Sequence, residues 1–92
     1  MHWIEIIHLR MKSISDSETI KNQLRLIKKS VQSEISQTVK IYRRPEIEGD
    51  LCILLDWNAE STVCLSSDLG ATLTASLKEF GRVDHAVWVA LE

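Results

Sequence analysis

Apolar residues crowd the opening stretch HWIEIIHLRMK, which is rich in isoleucine, carries a tryptophan and shows no helical spacing. Its β-branched and aromatic content predicts a strand over residues 2–12. SDSE follows, in which Ser15 and Glu18 have the spacing of a capping box. Apolar residues then recur at Ile20, Leu24, Ile27, Val31 and Ile35. Steps of four and three put them on one face of a helix over residues 16–34. In TVKIYRRPEIEGDLCILLDW, Val39, Ile41 and Arg43 alternate with Lys40, Tyr42 and Arg44, and a second run covers Leu51 to Trp57. Pro45 and Gly49-Asp50 lie between the runs as turn residues, so the pair predicts a hairpin. Pro45 has no amide hydrogen for a ladder bond, which places the first hairpin strand at a sheet edge. Leu69, Leu73, Leu77 and Phe80 mark a second helix, with Ser66 or Ser67 as N-cap and Gly81 as the residue past its end. Gly70 inside that helix costs about 1 kcal/mol relative to alanine. VDHAVWVALE, residues 83–92, reads as a closing strand that is apolar on both faces.

The order β-α-β-β-α-β over 92 residues predicts an α+β fold of the ferredoxin-like, split βαβ kind. One domain, 1–92, would carry an antiparallel sheet in the order 4-1-3-2 with both helices on one face. The other face should then be polar if it meets water. Alternation puts Ile7, Leu9, Val39, Ile41, Ile53, Leu55, Val87 and Val89 on one side, an aliphatic set suited to pack beneath helices. The opposite side collects Ile4, Ile6, Tyr42, Leu54, Ala86 and Trp88 with His8, Arg10 and Asp56. That set is too apolar for an open face and too polar for a simple core, which points to an interface or a ligand groove. A homodimer stacking two such faces is the economical arrangement. Glu5 falls among the helix-facing positions, so either a bulge shifts the register of the first strand or its two faces are reversed.

In element order, in length and in the tryptophan that closes ILLDW before a loop and a helix, the chain resembles the dimeric α+β barrel superfamily. Within it, the resemblance is to the antibiotic-biosynthesis-monooxygenase-like proteins. It spans nearly the whole chain and implies that two sheets pair into a barrel. The functions it implies are cofactor-free oxygenation of quinol-type substrates, haem degradation, and small-molecule binding or stress roles. Monooxygenase-like members often carry a histidine early in the helix after the third strand. The matching stretch SSDLGATLTASLKEF has none, which counts against carrying over an enzymatic or haem-binding role.

Composition narrows the classes further. Net charge is −2 with acids and bases interspersed, and only Lys28-Lys29 and Arg43-Arg44 are basic pairs, so the cationic stripe that nucleic acid requires is missing. Cys52 and Cys64 lack the spacing of a metal pair and read as buried thiols of a cytosolic protein. No apolar run approaches the ~18–20 residues of a membrane span, and no leader opens the chain. The expectation is a complete cytoplasmic protein beginning at Met1, without metal or cofactor, that neither spans a membrane nor binds nucleic acid. MKSISDSET, after the first strand, has no glycine and so no phosphate loop of the acylphosphatase type.

Candidate chemistry is sparse. His2 and His8 lie six residues apart on one strand face, roughly 20 Å, too far to share a metal. His8 and Asp56 fall on strands that neighbour each other in the expected sheet, and a carboxylate beside an imidazole makes a general base. These two are the catalytic candidates, set against a plain polar pair at an interface. Arg10, Tyr42, Leu54 and Trp88 are the ligand-lining candidates, the aromatics competing with simple burial of area. Trp3 and Trp57, near strand ends, are expected to pack. NAESTVCLS, residues 58–66, is longer than usual for such a link and reads as an extra helical turn or a lid. Cys64 in it has no neighbour in sequence to lower its pKa. The expected function is a small homodimer that binds an apolar or aromatic ligand between its sheets. The alternatives are a cofactor-independent monooxygenase-like enzyme, with His8 as base and Arg10 or Tyr42 steadying an enolate, and a regulatory interaction module.

Overall fold

A computed structural model of the chain describes residues 2–31, 37–57 and 68–91. Strand β1 runs Trp3–Met11, followed by a 3-10 turn over Ile14–Asp16 and helix α1, Ser17–Val31. Strands β2, Gln37–Arg43, and β3, Asp50–Trp57, form the hairpin; helix α2, Asp68–Leu77, and strand β4, Gly81–Val89, complete the order. All pairings are antiparallel, in the spatial order β2-β3-β1-β4, which is 4-1-3-2 read from the other edge. The α+β ferredoxin-like arrangement is therefore present, with β2 at an edge as Pro45 requires.

Period-two alternation decides what each strand buries. Ile7, Leu9, Leu51, Ile53, Leu55 and Val39 point beneath the helices and are buried, while Ile4, Ile6, Cys52 and Leu54 on the opposite side are only partly covered. Ile20 and Leu24 of α1 and Leu73 and Leu77 of α2 close the core from above. Coverage thins toward β4: Val87 is half-buried and Val89 is exposed. Alternation alone assigns Val89 to the layer beneath the helices, but it lies at the end of an edge strand, past the core.

Two local expectations are corrected. Ser15 does not cap α1; it sits in the 3-10 turn, its hydroxyl 2.7 Å from that of Ser13. A tight turn before the helix takes up the residues that a capping box would have used. Gly81 opens β4 instead of terminating α2, and a Cβ there would lie 2.0 Å from the Arg10 carbonyl oxygen. Close backbone approach, not left-handed conformation, is what demands glycine at that position. Gly49 is the residue that does need a left-handed backbone, at φ +88°, in the turn that delivers Asp50 to β3. The proposed N-caps Ser66 and Ser67 lie outside the described residues, as does the 58–66 segment with Cys64.

Glu5 turns toward the helices with neither a bulge nor reversed faces. The β1–β3 register runs unbroken from Trp3↔Trp57 to Arg10↔Asp50, and β1–β4 from Trp3↔Val89 to Met11↔Gly81. Its side chain is fully buried at 0% exposure. The apolar strand tolerates it because diagonal neighbours on both sides supply partners.

Candidate functional site

The strand registers convert the open face into rows that run across the sheet. Asp56, Ile4 and Trp88 form one row. Lys40, Leu54, Ile6 and Ala86 form the next, and Tyr42, Cys52, His8 and Asp84 the one after. Asp50, Arg10 and Arg82 form the last. Polarity thus rises along the strands. Ile4, Ile6, Leu54, Ala86 and Trp88 make one contiguous apolar block, in which Trp88 is 61% exposed. Tyr42 is half exposed at the β2 edge. Neither α1 nor α2 covers this block, since both lie on the opposite side.

The charged rows are organised around Asp50. Arg10 donates to it through Nε at 3.1 Å and Nη2 at 3.4 Å, Arg44 donates through Nη1 at 3.5 Å, and His8 Nε2 lies 3.5 Å away. These neighbours leave the Asp50 side chain 2% exposed although it stands on the uncovered face. The hydrogen bond from Arg10 holds the Asp50 carboxyl below its ordinary value, outweighing the upward push of burial. A depressed carboxyl contributes stability that is complete above the unfolded value of 3.8 and is lost as the pH falls through the lower folded value. Asp50→Asn should accordingly be less stable than the parent at neutral pH, with a gap in urea midpoint that closes on acidification below pH 3.8. A gap that stays constant through that interval contradicts the assignment.

His8 and Asp56 are not brought together. His8 is opposite Cys52 and Asp56 opposite Ile4, which separates them by four residues, about 13 Å along the strands. Asp56 instead meets His2, Oδ1 to Nε2, at 2.6 Å. Shared face was legible from alternation; row was not. Cys52, beside His8, has its thiol pushed up by burial, the reverse of what a reactive thiolate requires.

A second polar cluster, which strand alternation alone did not assemble, lies under the helices. Glu5 Oε2 is 2.8 Å from His85 Nε2, and Glu5 Oε1 accepts from Trp57 Nε1 at 3.0 Å. Both are diagonal contacts, because Glu5 is directly opposite Leu55 and Val87. Trp57 stacks on Trp3 with centroids 5.3 Å apart and planes 15° from parallel, so these two rings pack. Trp3 Nε1 is buried without a partner among the described residues. The signal for this cluster was Glu5 itself, a lone acid at a core position, together with His85 on the same side of the neighbouring strand.

Among the described residues no group of three metal-ligating side chains converges, and no helix is long and apolar enough to cross a membrane. No protein-family model matches the chain, and neither does any curated protein or solved structure.

Proposed function

We propose that the chain works as a homodimer, joining two open sheet faces in the manner of a dimeric α+β barrel and enclosing a small apolar or aromatic ligand between them. The observation that carries this reading is the uncovered block of Ile4, Ile6, Leu54, Ala86 and Trp88 in the middle of one sheet face. A patch of that kind on a small domain marks an interface or a ligand groove.

Dimensions favour a second copy as the cover. Strands of seven to nine residues, four abreast, present roughly 500 Å² of flat face, and two such faces reach the roughly 1,000 Å² that a specific interface needs. The mixture of exposed Trp88 and Tyr42 with buried-rim polar groups suits a pocket of aromatic walls and a few orienting contacts. The oxygenase alternative loses the His8–Asp56 pairing, since the two occupy different rows and the carboxylate beside His8 is Asp50.

Native mass spectrometry of protein purified from its own host tests the proposal. The expected spectrum shows two chains with a retained small mass. A bare dimer removes the ligand, and a monomer removes the whole reading.

A further inference from the structure

The charged end of the open face carries information about what kind of ligand belongs there. Arg10 and Arg82 stand directly opposite each other on β1 and β4, and both are exposed. Like charges in directly opposed cross-strand positions destabilise a sheet. Together with His8 and Asp84 these arginines border a cleft of about 230 Å³.

The nearby carboxylates do not exhaust the donors. Arg10 engages Asp50 through Nε and Nη2, which leaves Nη1 outside that pair. Arg82 approaches Asp84 through Nε at 3.6 Å, outside its two Nη groups. Counting Arg44, three guanidinium groups stand against the carboxylates of Asp50 and Asp84. A guanidinium is a planar fork that matches a carboxylate in a two-point contact. Along β1 and β4 from this row, Ile6 and Ala86 lie four residues away, about 13 Å, and Trp88 and Ile4 two residues further.

Resting on the reading that a small ligand is held on this face between two chains, the geometry points to an amphipathic carboxylate as its chemical class. The anionic head sits between Arg10 and Arg82, relieving their opposition, and the apolar body crosses the His8–Asp84 row toward Ile6 and Ala86. Asp84 opposes the head electrostatically, and its pairing with Arg82 is what the ligand competes with. A neutral ligand of the same length gains only the apolar half of the face.

Calorimetric titration of the whole chain with decanoate and with decan-1-ol separates the two contributions. Decanoate should bind about tenfold more tightly at low salt, and that preference should fade as ionic strength rises. Arg82→Gln should abolish the preference while leaving decanol binding and the circular dichroism spectrum as they were, since Arg82 is exposed and lies outside the core cluster. Equal binding of both compounds overturns the carboxylate class and leaves the enclosed-ligand reading standing. A preference that persists in Arg82→Gln overturns the assigned head site. Binding of neither compound overturns both this inference and the reading on which it rests.

Discussion

Replacing Ile6 by aspartate should split the proposed dimer and leave each chain folded. Ile6 sits at the middle of the uncovered face, with Leu54 on one side and Ala86 on the other. In a single chain this position is only partly covered, so a carboxylate there keeps much of its water and the core beneath is untouched. Stacked against a second copy, the same carboxylate loses that water, and two-fold symmetry introduces it twice. An unpaired buried charge costs several kcal/mol even after relaxation. A loss of ~4 kcal/mol weakens association about a thousandfold. Light scattering behind a sizing column should therefore report one chain in the variant where the parent reports two, with thermal midpoints measured on the monomer staying close to those expected for an intact core. An Ile6→Asp chain that dimerises as tightly as the parent would place the interface elsewhere and sink the face-to-face arrangement.

His85→Leu should be among the most damaging single changes in the helix-facing layer. It strips one partner from a carboxylate that is fully buried at 0% exposure, and such a group cannot recover its hydration. Breaking a buried pair by removing one member costs roughly 3–5 kcal/mol. The lower end of that range applies because Trp57 still donates to Glu5. Chemical denaturation measures the loss directly. The informative companion is Glu5→Leu with His85→Leu, which replaces both members of the pair by hydrocarbon and takes the acceptor from Trp57 Nε1. Since apolar replacements of a buried pair are often neutral or stabilising, the double variant should recover part of what the single one loses, the remainder being the lost acceptor of Trp57 Nε1. A double variant less stable than His85→Leu would mean that attraction within the pair exceeds its desolvation cost, the opposite of the expected balance.

These two experiments address opposite sides of one sheet, and the two sides differ in how far the sequence discloses them. For the open face, alternation in β3 and β4 is enough to place Leu54 and Trp88 together, while Glu5 leaves the facing of Ile4 and Ile6 in β1 open until the unbroken register decides it. For the helix side, the acid at position 5 is visible as an anomaly, yet its partners His85 and Trp57 lie 80 and 52 residues away in sequence. Local pattern marks Asp50 only as a turn residue, whereas in the fold it organises Arg10, Arg44 and His8. Its role depends on Gly49, whose left-handed backbone brings the chain round so that Asp50 enters β3 opposite Arg10.

The amino-acid sequence by itself determined the element order, the alternating sets of each strand, the apolar stripes of both helices and the edge position of β2, though not which set of β1 meets the helices. Each follows from a local rule: a period of two or of three to four residues, a proline without an amide hydrogen, a glycine at a turn. Tertiary structure alone decided the rows. Slipping a strand by two residues leaves every side chain on its own face while moving each cross-strand partner about 7 Å, so alternation is blind to such a shift. That is why His8 and Asp56 share a face and yet stand about 13 Å apart along the strands. The close approach of Gly81 to Arg10 and the diagonal contacts of Glu5 were fixed by the same register, through backbone distances between strands that no local pattern encodes.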